Sequence, residues 1–273
     1  MQKISPTVAA LIGVSLAFSF LTTGAADSPI GYKDTPLIPG TSWHVHDPDR
    51  LRPHVVTSAP TFSHNAGAPS DAVVLFDGKD LSKWRSDKGE AAAWKVENGY
   101  MEVTPKAGNI FTREEFSDFQ LHFEFATPSV VKGNSQGRGN SGVFLHGIYE
   151  VQVLDSYENI TYADGQLGAL YGQSPPLANP AKKPGEWSSY DVIFEGPRFD
   201  AEGKVTRKAA VTVIVNGVVL QHKKEYMGPT KHKENTSYEG VKVTSGPIGL
   251  QDHGDLMRYR NMWIRPLGEI DKP

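Results

Sequence analysis

Glu150, Gln152, Gln251 and His253 are the residues of this chain best placed by type to work on a polyhydroxy ligand. Each stands in a run where polar and apolar side chains alternate: Gly139 to Asp155, and Gly249 to Gly254. Alternation with period two is the signature of a strand with one face in a core and the other free to line a site. A half-solvated sheet shows the same alternation, but its outer face usually carries Lys, Thr and Ser. Here it carries a carboxylate, carboxamides, imidazoles and aromatic rings. A carboxylate can take a proton, an imidazole can give or take one near neutrality, and carboxamides can hold hydroxyls.

The same parity extends the set. Leu121, Phe123 and Phe125 fall on one face of their run, and His122 and Glu124 on the other. Asn140, Phe144 and His146 share a face, as do Glu150 with Gln152, and Gln251 with His253. If these strands are neighbours in one sheet, they form a polar floor that includes Glu124, His146, Glu150, Gln152, Gln251 and His253. Such a floor, walled by aromatic rings, is how sandwich folds hold sugars. The glycine-rich run Gly133 to Gly139 turns the chain and brings Arg138 to the rim. Asp155 and Asp252 point by parity toward the apolar side, where a capping role and a ligand role are equal readings. No Gly-x-Ser-x-Gly elbow and no phosphate-cradling glycine motif occurs.

Nearly every segment beyond residue 70 reads as a strand: Val73 to Phe76, Trp94 to Glu97, Tyr100 to Thr104, Phe119 to Thr127, Gly142 to His146, Tyr149 to Leu154, Tyr190 to Glu195, Ala209 to Val215, Val218 to Gln221, Ile248 to Gln251 and Tyr259 to Arg265. Asn98-Gly99 and Asn216-Gly217 carry the turn chemistry of tight hairpins. Without amphipathic helical periods, the pattern predicts an all-β, antiparallel two-sheet sandwich. Two stretches break the rhythm. The proline-rich Gln173 to Trp187 has the length of a lid over a site, whereas the polar Met227 to Gly240 reads as a mobile surface loop.

Three segments follow from composition. Residues 1–26 read as a secretory signal: Lys3, the apolar run Val8 to Leu21, and small residues Gly24 to Ala26 before Asp27. Export to the periplasm or cell surface follows, with no membrane span once the signal is cut. Residues 27–70, rich in Pro, Gly, His and Asp, read as an extended arm. It holds four of the nine His: His44, His46, His54 and His64. Four solvated rings are the expected reading there, a metal site at His44 and His46 the alternative. Residues 71–268 suffice for one β-sandwich domain. The chain has 28 basic and 31 acidic residues, a net charge of -3, with no basic stripe for nucleic acid and no Cys for disulfides or thiolate chemistry. A neutral, uncharged small-molecule ligand fits this balance better than a polyanion, while oligomeric state is written in no motif.

Leu75 to Trp84, Asn140-Ser141-Gly142, Tyr149 to Asp155, Gly185-Glu186-Trp187, and Gln251 to Gly254 followed by Arg260-Asn261 and Arg265 to Leu267 together resemble the 3-keto-disaccharide hydrolase domain family, in order, from about Val73 to Leu267. The resemblance implies a concanavalin A-like (lectin/glucanase) jelly roll, bacterial export, and cleavage of glycosides whose glucose ring is already oxidised at C3. A C3 carbonyl acidifies the proton on C2, so a base can remove it and the C1 oxygen can leave. This chemistry needs a base, a donor to the enolate oxygen and an acid for the leaving group. On that reading Glu150 is the base and His253 or His146 the acid or enolate donor. Arg138, Gln152 and Gln251 would then hold hydroxyls or the oxyanion, with Glu124, Asn140, Asp155 and Trp187 completing the substrate contacts. The residues name no cofactor, and a divalent metal ligated by His and carboxylate is an alternative to protein donors on the enolate oxygen. Glucanases of this fold look like a Glu-x-Asp-x-x-Glu or Glu-x-Asp-x-Glu strand. This chain has an amide, Gln152, in the middle position, which argues against two-carboxylate hydrolysis. A conventional β-glucanase and a noncatalytic carbohydrate-binding module remain the rival readings.

Overall fold

The computed structural model describes residues 28–268; the segment read as an export signal lies outside them. Two antiparallel sheets face each other. One has five strands in the order Trp84–Ser86, Ile110–Thr112, Gly249–Leu250, Asn140–Leu145 and Tyr149–Leu154. The other has eight: Val218–Glu225, Ala210–Val215, Ser188–Glu195, Phe119–Ala126, Arg258–Pro266, Tyr100–Glu102 and Lys95–Glu97 run in order, and Val73–Phe76 also pairs with Arg258–Pro266. The sandwich expected from alternation is what forms, and every strand read from the sequence is present. The two Asn-Gly turns have both residues at positive φ, with Asn98 at 48° and Gly99 at 79°, Asn216 at 51° and Gly217 at 82°. This geometry matches the right-handed twist of the flanking strands.

The core is the apolar parity of both sheets. Trp84, Val143, Leu145, Tyr149, Val151 and Val153 of one sheet are buried in a single cluster with Phe119, Leu121, Phe123, Tyr190, Val192, Val211, Val213 and Tyr259 of the other. Each such side chain contributes about 1.5–3 kcal/mol on burial. With no disulfide available, this cluster carries the stability. Among the described residues no helix is long and apolar enough to cross a membrane.

The arm is docked on the sandwich rather than solvated. Ile38, Val45 and His46 are buried, and His54–Val55 pairs in parallel with Ala178–Asn179. Further on, the carbonyl of Ala66 accepts from Asn261 Nδ2 (3.1 Å) and Trp263 Nε1 (3.2 Å) on the outer face of the eight-stranded sheet. The solvated reading therefore fails for His46. Apolar anchors spaced along a polar segment leave no periodic trace. The proline-rich stretch is also not a lid. Leu177 N–H donates to Leu220 O (2.9 Å), and Asn179 Nδ2 donates to Ser156 O (2.8 Å), so it packs along the edge of the eight-stranded sheet.

A candidate active site on the five-stranded sheet

Register decides which polar residues meet. Gly142 lies opposite Gln152 and Phe144 opposite Glu150; Gly249 lies opposite Phe144, and Gln251 N–H donates to Gly142 O (3.0 Å). One face of this sheet thus presents Asn140, Phe144, Glu150, Gln152 and Gln251, with His253 just past the strand end. Together with Tyr171, Thr230 and His232 they line a cavity of about 370 Å³, within the range of small-ligand sites. Glu150 is its only carboxyl group.

Glu150 is 5 % exposed, and among the described residues no cation pairs with it. Its carboxyl lies over Gly142, where a Cβ would come within 2.3 Å of Oε1; the glycine is what gives the carboxyl room. The Gln152 amide, with its nitrogen turned toward them, donates to Ser141 O (2.9 Å) and Glu150 Oε1 (3.3 Å). Burial without a compensating charge pushes the Glu150 carboxyl up to about 8. A base tuned in this way can remove the proton of a carbon acid near neutral pH.

The wall opposite comes from two loops. Thr230 is pinned by its N–H donating to Ile148 O (2.8 Å), while its Oγ1 accepts from Glu150 N–H (2.9 Å). Two residues on, His232 Nδ1 faces the Tyr171 hydroxyl (3.2 Å), which in turn lies 2.8 Å from the Tyr162 hydroxyl. Burial raises both phenols and keeps them protonated. With Tyr162 donating to Tyr171 and Tyr171 donating to Nδ1, His232 keeps Nε2–H as its donor. Partial burial, reinforced by His46, Lys233 and His253 nearby, lowers the His232 pKa, so this imidazole is neutral at pH 7. Met227 to Gly240, expected to be a mobile surface loop, contributes Thr230 and His232 to the cavity wall. Only Thr and His within a charged stretch mark it in the sequence.

Five expected residues lie outside this cavity. Glu124 belongs to the eight-stranded sheet, fully buried, accepting from Arg260 Nε (2.8 Å), Asn261 Nδ2 (3.0 Å) and Asn65 N–H (2.6 Å). Burial alone would raise this carboxyl, but those donors outweigh it and hold it low. Parity places a side chain on a face and cannot say which sheet owns the strand. His146 sits past its strand in the left-handed region (φ 53°). The turn swings its ring out of alternation, against Phe119 and Phe194, with Nε2–H donating to Ser117 O (2.7 Å). Trp187 stacks on the Arg260 guanidinium, 4.1 Å from the ring centroid, on the outer face of the eight-stranded sheet.

Arg138 and Asp155 form an ion pair (2.7 Å) with Arg138 also donating to Tyr157 O. They line an adjacent, more apolar groove of about 290 Å³ with Pro128, Val130, Val131 and Leu256. That groove also holds Asp255, whose carboxyl is raised by burial and accepts from Asn140 N–H (2.9 Å); it lacks the amides, imidazoles and hydroxyls that gather around Glu150. Asp252 caps backbone, accepting from Gly108 N–H and Gly254 N–H (both 3.0 Å). Among the described residues, no group of three or more His, Asp, Glu or Cys side chains converges as a metal site would.

Comparison with known proteins bears on this geometry. The family model for the 3-keto-alpha-glucoside-1,2-lyase-like domain matches residues 71–265. A 3-keto-disaccharide hydrolase of Bacteroides thetaiotaomicron is 25% identical over 250 residues, which span 73% of this chain and 80% of that protein. A crystal structure from Parabacteroides distasonis, assigned only provisionally as a glycosyl hydrolase, is 49% identical with a TM-score of 0.72, covering 80% of this chain and 93% of the other. A second from the same organism, also provisional, is 22% identical with a TM-score of 0.53 over 72% of this chain and 94% of that one, a likeness of fold.

Proposed function

Because the chain belongs to the 3-keto-alpha-glucoside-1,2-lyase-like domain family, we propose that the Glu150 cavity cleaves glycosides of a 3-keto sugar by removing the C2 proton. The observation that carries this reading is the single, uncompensated carboxyl group in a pocket otherwise lined by amides, imidazoles, a hydroxyl and rings. Hydrolysis by the usual glycosidase routes needs two carboxyl groups flanking the bond, and this cavity supplies one. Elimination needs one base.

Glu150 takes the C2 proton, and the electron pair moves toward the C3 carbonyl to form an enolate. The neutral Nε2–H of His232 donates to that oxygen, where charge develops. The C1 oxygen then departs with a proton from His253, leaving a C1=C2 double bond conjugated to the ketone. Addition of water returns OH to C1 and its remaining proton to His253, while Glu150, its carboxyl proton exchanged with solvent, protonates C2, giving the free 3-keto sugar. Asn140, Gln152, Gln251 and Thr230 hold hydroxyls, while Phe144 and Tyr171 offer ring faces to C–H groups. Residues 1–26, read as a secretory signal, would deliver the protein to the periplasm or cell surface, where glycosides arrive.

The test incubates the protein with a 3-keto-glucoside and with its unoxidised parent in deuterated water, with and without EDTA, following cleavage and C2 deuterium by NMR. Cleavage of the keto sugar alone, with deuterium at C2 and loss in Glu150→Gln, supports elimination. Cleavage of the parent would refute it, and loss of activity with EDTA would move a divalent ion onto the enolate oxygen in place of His232.

A further inference from the structure

His46 is a fully buried imidazole that the mechanism above does not use. It comes from the arm, outside the residues that define the family domain. Its N–H donates to Asp164 Oδ2 (3.0 Å), its Nδ1 lies 3.4 Å from Asp164 Oδ1, and its Nε2 is buried with no partner. Asp164 is itself tied to the active-site wall, since its carbonyl accepts from Gly172 N–H (3.0 Å), next to Tyr171.

The His46 ring packs against the whole hydroxyl chain that orients His232. Its centroid lies 4.2 Å from that of Tyr162, 4.8 Å from Tyr171 and 5.4 Å from His232. Tyr32, whose N–H donates to His46 O (2.8 Å), meets His232 edge-on with centroids 6.4 Å apart, and Lys233 Nζ covers the other side of Tyr32 at 3.5 Å. Asn235, in the same loop as His232, donates to Leu37 O of the arm (2.8 Å). The loop that carries His232 therefore rests on the arm at three points.

We infer that Tyr32 and His46 are positioning residues of the active site: the arm holds Tyr171 and His232 at the cavity wall, so residues 71–265 alone lack a formed enolate-donor site. The inference rests on the elimination reading for its kinetic consequence, but not for its structural one. Without the arm, the outer edges of Tyr162, Tyr171 and His232 would face water, and the loop from Met227 to Gly240 would lose the surface it packs on. The groups facing His232 are Tyr171, His46 and Tyr32 from the packed segments, Lys233 beside it and His253 across the cavity mouth, with Asp164 and Arg50 behind His46. Removing the arm's rings opens His232 to solvent and lifts the burial that keeps it neutral.

The experiment uses the full chain with His46→Ala, Tyr32→Ala and Tyr32→Phe, measuring kcat and KM on methyl 3-keto-glucoside and the titration of the His232 ring by NMR. Both Ala variants are expected to lose about tenfold or more in kcat with KM changed less than about threefold, as a misplaced catalytic group would cause. They also raise the His232 midpoint toward that of an ordinary His, while Tyr32→Phe behaves as the parent. A folded His46→Ala or Tyr32→Ala with both kcat and the His232 midpoint unchanged overturns the inference. If His46→Ala fails to fold, the half-exposed Tyr32 decides. An inactive parent whose His232 still moves in the variants refutes the elimination reading and leaves the arm's hold on His232 standing.

Discussion

Glu150→Gln tests the central claim through stability as well as rate. Raising a carboxyl from 4.5 to about 8 by burial means that the folded protein keeps a proton which the unfolded chain releases. Below about pH 4.5 both states hold it, and no cost exists. Between 4.5 and 8 the unfolded state binds fewer protons than the folded one, so stability falls as pH rises, and above 8 the full cost is present. At 1.36 kcal/mol per pH unit that cost is roughly 5 kcal/mol, counting no relaxation of the site. A glutamine has the same shape and never ionises. Glu150→Gln should therefore match the parent in melting temperature near pH 4.5 and exceed it by on the order of 10 °C at pH 9, taking ~2–4 °C per kcal/mol for a chain of this size. Differential scanning fluorimetry over pH 4.5 to 9 reads this directly. The same variant should lose roughly 10³-fold in kcat on a 3-keto-glucoside. A melting difference that is the same at both ends of the pH range would refute the argument, because it would show a carboxyl that titrates normally.

Four further outcomes follow from the geometry. Gly142→Ala puts a methyl within 2.3 Å of Glu150 Oε1 and should cut kcat by about 10²-fold with little change in melting, since the flexible carboxyl and not the backbone must yield; steady-state kinetics beside a melt checks it. Tyr171→Phe removes the donor that fixes the His232 tautomer and should lower kcat about tenfold with KM nearly constant, in the same assay. Glu124→Ala leaves Arg260 without its buried partner and should cost about 3–5 kcal/mol by urea unfolding, while kcat per folded molecule stays at the parent value. In a bacterial host that exports it, the mature protein should begin at Asp27 by N-terminal sequencing, and a retained Met1 would refute the export reading.

The floor of the site was legible because alternation is a local property. Asn140, Glu150, Gln152, Gln251 and His253 needed only strand parity to share a face, and the hairpin joining Asn140–Leu145 to Tyr149–Leu154 brought the first three together. Parity misled wherever it was carried across a boundary it does not describe. It ran one residue too far at His146, where a positive φ ends the strand, and it crossed between sheets at Glu124, whose strand pairs with Ser188–Glu195 and Arg258–Pro266. The walls were illegible for another reason. Tyr171, Thr230 and His232 lie in segments without period, and what makes them a site is contact with Tyr32 and His46 more than 120 positions earlier. Loop residues such as these are cheap to place in sequence and costly to hold in space. The arm bears that cost through buried rings, and so a segment whose composition reads as a linker ends up ordering the half of the active site that the sheet alone cannot reach.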